Sequence, residues 1–202
     1  MVTAGERPRA VVIVTGSELL TGAISDRNGP WVSRELVGLG FEVAQLLVVG
    51  DRPDDLAAAL RFAEAAQCSL IVTSGGLGPT ADDLTAEVVA AFAGVELELD
   101  EPMRATIDAR LADWAARSGF AGEAMDAATR KQAMVPRGAV ALPPVGTAPG
   151  LVVPRPGGPL TVVLPGPPRE LQGMWPDALQ SPPMRELLAT VPPGHPRALN
   201  FF

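Results

Sequence analysis

Short apolar runs, each closed by glycine or a polar turn, alternate along the first half of the chain with stretches of helical spacing. Ala10–Thr15 predicts a buried strand, and Asn28–Leu39 a helix, with Pro30 tolerated in its first turn and Gly38 and Gly40 closing it. Phe41–Val49 follows as a strand. Pro53–Ala66 follows as a helix whose apolar positions are Leu56, Leu60 and Ala63. Ser69–Thr73 and Leu84–Ala93 repeat the pair. This β-α-β-α-β-α order predicts an α/β fold: three layers, a doubly wound and mostly parallel sheet, right-handed crossovers and helices on both faces.

The second half changes character. Glu101–Arg117 and Gly122–Met134 have helical, Ala-rich patterns carrying charges such as Arg104, Asp108, Arg130 and Lys131. Ala139–Leu142, Leu151–Val153 and Leu160–Leu164 are short strands divided by Pro/Gly turns, which predicts an antiparallel edge. Prolines accumulate from Pro165 onward. We therefore expect one main domain over 8–175, and a Pro-rich short helix and weakly anchored tail over 176–202.

The segment Ser74-Gly75-Gly76-Leu77-Gly78-Pro79-Thr80-Ala81-Asp82-Asp83-Leu84-Thr85 carries the most chemistry. A strand, a three-glycine turn and a helix start gather free backbone N–H groups at one place, which suits a phosphate. Two adjacent carboxylates there would repel that anion unless a hard cation lay between them. The loops after the first three strands, at Thr15–Thr21, Gly50–Asp51 and Ser74–Asp83, all fall at the strands' carboxyl ends, where ligands of such sheets bind.

Composition narrows the classes. With 202 residues, 47% of them hydrophobic, the chain can bury a full core. A net charge of −7 and the absence of a Lys/Arg cluster argue against nucleic acid as partner. Arg7 and Arg9 precede the first apolar run. Gly16-Ser17-Glu18 interrupts that run too early for a signal peptide, and no run approaches the roughly 18–20 residues of a membrane span. A cytoplasmic protein with no membrane partner is expected. The single cysteine, Cys68, reads as a buried inert thiol. His195, the only histidine, lies in the tail, so neither a His-based triad nor a His-rich zinc site can form in the core. Carboxylates, hydroxyls, one lysine and backbone amides remain. They suit metal-assisted attack of water on a phosphoanhydride, or nucleotidyl transfer.

Each candidate also has a plainer reading. Thr80 and Asp82 could cap the following helix, with Asp83 in its first turn. Asp51 could be an ordinary turn residue before Pro53, and Lys131 a solvated charge on a helix. Gly146, Gly150 and Gly166 could serve tight turns or allow close approach of backbone to a ligand.

The order of GGLGPTADDLT, together with six further segments, resembles the molybdopterin-binding (MoaB/Mog-type) domain, in the version found at the N-terminus of the CinA family. Those segments are Gly16–Gly22, Asp26-Arg27-Asn28 with Val49-Gly50-Asp51, Lys131-Gln132-Ala133, Gly146–Gly150 and Pro165–Glu170; together they cover about residues 8–175. Pro143 stands where the family usually has Asn, and the longer members' C-terminal amidohydrolase-type domain is not in this chain. The resemblance implies a cradle formed by Gly16, Ser17, Glu18, Asn28, Ser74, Gly75, Gly76, Gly78, Thr80, Asp82, Thr85, Gly146, Gly150 and Gly166. It implies Asp51, Asp83 and Lys131 as catalytic groups, and Asp51, Asp83 and Glu18 as ligands of a divalent Mg, Mn or Co ion. On this reading a side chain at Gly76 would block the cradle without unfolding the domain.

Three functions are compatible with such a site. The first is a metal-dependent hydrolase of a nucleotide diphosphate, resembling ADP-ribose pyrophosphatase and releasing AMP and ribose 5-phosphate. The second is a protein of molybdenum cofactor biosynthesis that binds and adenylylates molybdopterin. The third is a binding module without turnover. The loop spelling places them in that order. The expected partner is a small nucleotide or pterin, and the Ala-rich stretch Ala105–Ala128 offers a surface for a homo-oligomer.

Overall fold

The computed structural model describes residues 7–118 and 123–192, and side chains outside 112–124 within that range. The tail beyond 192, with His195, and the middle of the Ala-rich stretch expected to mediate self-association lie outside the described residues.

Six strands form one sheet in the order β2-β1-β3-β8-β7-β6. The parallel part comprises β2 (Glu42–Val49), β1 (Arg9–Thr15), β3 (Leu70–Ser74) and β8 (Leu160–Leu164). β7 (Gly150–Val153) runs antiparallel to β8, and β6 (Val140–Leu142) antiparallel to β7. The expected α/β sheet with an antiparallel component is therefore present.

The parallel strands are apolar at nearly every position because both faces are covered. Ala10, Val12 and Val14 face one side with Val32 and Leu36 of α2 (Asn28–Gly38), Leu171 and Met174 of α7 (Pro168–Gln180) and Met184 of α8 (Pro182–Ala189). Val11 and Ile13 face the other with Leu56 and Leu60 of α3 (Pro53–Ala65) and Val89 of α4 (Thr85–Ala93). The period of two along β1 thus feeds two separate cores, one per face. Three layers result.

The C-terminal part departs from expectation. A boundary after residue 175 would cut α7, which runs through Pro176 to Gln180. Leu171, Met174, Trp175 and Ala178 are buried on one side of that helix, and Trp175 meets Trp31 edge to face at 6.0 Å between ring centroids. That burial outweighs the backbone hydrogen bond which Pro176 cannot make. α8 follows without a break in packing, since Met184 is fully buried.

Three further elements have no signal in the pattern. α1 (Ser17–Leu20) occupies the loop after β1, and β4 (Leu97–Leu99) pairs antiparallel with β5 (Met134–Pro136) as a separate ribbon. The ribbon and Ala133 close a small third core against Met103 and Ile107 of α5 (Glu101–Ser118). The helix expected to reach Met134 accordingly ends earlier, as α6 (Glu123–Gln132). Among the described residues no helix is long and apolar enough to cross a membrane.

Candidate functional site

Strand register brings four chain segments to one edge. Thr15 pairs with Val49, Val14 with Ser74, and Ser74 with Leu164. The ladder continues one residue further, through Gly16 N–H to Val49 O at 3.0 Å and Gly75 N–H to Leu164 O at 3.0 Å. Because β2 and β3 flank β1 on opposite sides, the chain leaves β1 and β3 at the point where the winding reverses. A crevice opens at such a point.

The glycine turn occupies this crevice. Gly75 and Gly76 have φ of +108° and +67°, and a Cβ on either would lie 2.4 Å from Thr15 Oγ1 or 2.1 Å from Thr85 Oγ1. Only glycine allows the turn to pack this closely onto β1 and the start of α4. The buried Thr85 hydroxyl donates to Gly75 O at 3.0 Å, and Thr85 N–H donates to Gly76 O at 3.1 Å.

Thr80, Asp82 and Asp83 close the rest of the loop on itself. Thr80 N–H donates to Asp83 Oδ2 at 3.0 Å, and the Thr80 hydroxyl sits against both Asp82 Oδ1 and Asp83 Oδ2. That hydroxyl contact holds the Asp82 carboxyl below the usual carboxylate range. Neither residue caps α4 in the manner expected from helix-start chemistry. The helix begins at Thr85 and its N-cap, Leu84, makes no side-chain cap bond. The carboxylates, one and two residues before the N-cap, instead satisfy the loop's own donors.

Asp51 and Asp83 face the same small recess, with a volume of about 60 Å³, alongside Thr15, Gly76, Asp82 and Thr85. Asp51 Oδ2 accepts from Ser17 N–H at 2.9 Å and Ser17 Oγ at 2.7 Å, which fixes the first turn of α1. Ser17 thus orients a carboxylate of the site.

A larger recess of about 680 Å³ lies across β1 and shares Thr15 with the first. Glu18, Asp26, Asn28, Ser74, Gly166 and Ile24 are among the residues that line it. Asp26 Oδ1 accepts from the N–H groups of Asn28 and Gly29, both at 2.9 Å, and so caps the start of α2. Asn28, only 5% exposed, donates through Nδ2 to Ser74 Oγ at 2.8 Å and to Gly166 O at 2.6 Å. The Ser74 hydroxyl in turn donates to Pro165 O at 3.3 Å. Asn28 Oδ1 is buried without a partner, an arrangement that costs about 1–3 kcal/mol.

The remaining candidates divide between positions. Lys131 does not point its ammonium group at an open anion site: it donates to Thr80 O and lines a third recess with Gly76, Gly78 and Asp83. Gln132, which sequence reasoning did not single out, donates from Nε2 to Leu77 O at 3.1 Å and ties α6 to the glycine turn. Gly146 and Gly150 line none of the three recesses, although Pro149 and Leu151 on either side of Gly150 line the third, and their close contacts are internal. A Cβ at Gly146 would lie 2.3 Å from Glu170 Oε1, and one at Gly150 2.3 Å from Met174 Sδ. Burial against this loop pushes the Glu170 carboxyl above its ordinary range. Thr15 and Asp26 were also missed as site residues. Asp26 carries a signal in its spacing to Asn28, but Thr15, the last residue of a strand, carries none.

The expected trio of metal ligands is not assembled. Glu18 lines the larger recess, while Asp51 and Asp83 line the smaller one, and among the described residues no three His, Cys, Asp or Glu side chains gather as a metal cluster. The physical reason is that α1 turns Glu18 back over Gly16, to the far side of β1. Asp51 and Asp83, on one recess with Asp82 turned to the Thr80 hydroxyl, fit a Mg²⁺-like ion, which takes one or two carboxylates and completes its shell with water and substrate phosphate.

A family model described as "Probable molybdopterin binding domain" matches residues 11–186. A CinA-like protein of Mycobacterium marinum is 54% identical over 185 residues, covering 90% of this chain and 43% of the relative. The chain therefore spans less than half the length of the curated relatives it matches. The crystal structure of CinA from Thermoplasma acidophilum superposes with a TM-score of 0.72 at 31% identity, covering 89% of this chain and 98% of that one. The molybdopterin biosynthesis enzyme MoaB of Thermus thermophilus shares the fold with a TM-score of 0.57 at 22% identity, over 90% of this chain and 94% of that one. With the match spanning both cores, the crevice and α7, the chain belongs to the molybdopterin-binding domain family and, within it, to the CinA-like proteins.

Proposed function

We propose that this domain binds a molybdopterin-type ligand, a pterin carrying phosphate, across the two recesses at the carboxyl edge of the sheet. The observation that carries the reading is their adjacency. A small polar recess beside a glycine turn suits a phosphate, and a recess of about 680 Å³ that shares Thr15 with it has the size of organic-ligand sites. The family match and the likeness to a MoaB fold support the same ligand class. Ser17 and Thr80 hold Asp51 and Asp83 by their Oδ2 atoms, so both carboxylates are oriented before a ligand arrives. A divalent ion held by these two residues would supply charge neutralisation at a diphosphate.

The test is retention of molybdopterin. Parent protein mixed anaerobically with molybdopterin and passed over a desalting column should carry the pterin through, read as its fluorescent oxidation product. Failure of the parent to retain it defeats the proposal. Asp83→Asn keeps the shape and one acceptor for Thr80. It should retain the pterin yet lose Mg-ATP-dependent adenylylation by orders of magnitude.

Hydrolysis of a nucleotide diphosphate is a second reading, favoured by the Asp51–Asp83 pair on one recess beside Gly76. Release of AMP from ADP-ribose with Mg²⁺, Mn²⁺ or Co²⁺ supports it; a protein that releases none under those conditions is not this hydrolase.

A further inference from the structure

We propose that the larger recess reads the donor edge of a 2-amino-4-oxo heterocycle, with Asn28 Oδ1 accepting from the exocyclic amine. This rests on the ligand reading above and names the ring edge that the site selects. The chemistry is shared by pterin and guanine.

The orientation of the Asn28 amide is forced. Gly166 O can only accept, so the nitrogen of Asn28 must face it at 2.6 Å, and Ser74 Oγ takes the second Nδ2 proton at 2.8 Å. Ser74 cannot return a proton to Oδ1, because its own goes to Pro165 O. Oδ1 is therefore a fixed acceptor. Among the described side chains lining the recess, it is the only buried polar atom without a partner. A ligand donor placed there would satisfy it.

The surroundings extend the same preference. Asp26 commits Oδ1 to the backbone of Asn28 and Gly29, and its Oδ2 has no partner among the described residues. Glu18 adds a second carboxylate to the lining. Carboxylate oxygens accept hydrogen bonds, so this wall favours N–H groups. Leu19, Ile24 and Pro167 line the recess as well and supply apolar contact for a flat ring. A 2-amino-4-oxo ring presents a ring N–H beside an NH₂ group, two donors on one edge. Adenine presents one amine between two acceptor nitrogens, and those acceptors would meet the carboxylates. Sites built to hydrogen-bond a donor reject analogues that lack it, since their buried polar atoms are then left unpaired.

Equilibrium binding to the parent protein tests this with four probes: pterin against lumazine, in which oxygen replaces the 2-amino group, and GMP against IMP, which lacks it. The expected result is at least about tenfold tighter binding of pterin than of lumazine or, where neither pteridine binds, of GMP than of IMP. Preference within the pterin pair names pterin as the source. Preference within the GMP pair without pterin binding keeps the edge readout and removes the pterin ligand. Pterin that binds, but no more tightly than lumazine, overturns the edge readout and leaves the ligand reading standing. No binding of either ring overturns both. Asn28→Leu should abolish the preference. If that variant does not fold, the parent's own discrimination still decides.

Discussion

Replacing Gly76 by alanine should unfold the edge of the site before it blocks a ligand. The residue sits at φ +67°, where an L-residue costs about 1–2 kcal/mol. Its new Cβ would lie 2.1 Å from Thr85 Oγ1, so the buried hydroxyl must move and release Gly75 O. Breaking that buried hydrogen bond adds about 1–3 kcal/mol. The sum, about 2–5 kcal/mol, lowers Tm by about 4–20 °C for a domain of this size. This revises the expectation from sequence that a side chain at Gly76 would leave the fold intact. Thermal unfolding of Gly76→Ala beside Gly22→Ala separates the two causes. Gly22 has a similar φ of +75° with nothing within 4 Å of its Cβ position, and so carries the backbone cost alone. In a Thr85→Ala background the excess cost of Gly76→Ala should disappear. A Gly76→Ala protein that loses no more stability than Gly22→Ala would refute the clash.

Three other outcomes follow from the packing and the ionisable groups. Met184→Ala should cost about 2–5 kcal/mol in denaturant unfolding, because α8 is part of the core; a cost near zero would return the segment after residue 175 to the status of a tail. Burial pushes the Cys68 thiol up to about 11 and its S–H donates to Ala63 O, so a thiol reagent at pH 8 should label it only in denaturant. Glu170 has a folded-state pKa raised by burial, so the folded state favours its protonated form and stability is lost as pH rises through that value. Glu170→Gln should therefore raise Tm near pH 7, with the gain vanishing below the ordinary carboxylate value of 4.5. A gain that grows on acidification would contradict the sign.

The alternation of apolar strands with helical stretches determined the α/β class. The strand–glycine–helix spelling marked the place of the crevice, because local backbone preference and burial on both faces act over a few residues and leave their pattern in the chain. Asn28, Ser74 and Gly166 were legible individually as candidates, each at an element boundary. Their hydrogen-bonded chain was not, since it joins positions 138 residues apart. The same holds for the carboxylates. Sequence proposed Glu18, Asp51 and Asp83 as one cluster, whereas the register of β1 against β2 and β3 gathers Asp51 and Asp83 and α1 carries Glu18 across β1. The accumulation of prolines put the end of the main domain before Pro176, yet α7 passes through it because Met174, Trp175 and Ala178 bury against the sheet. The β4–β5 ribbon, three residues per strand, left no pattern at all and exists through contact with α5. Where two segments meet is set by strand pairing and side-chain burial between distant parts of the chain, and that energy belongs to the pair rather than to either segment.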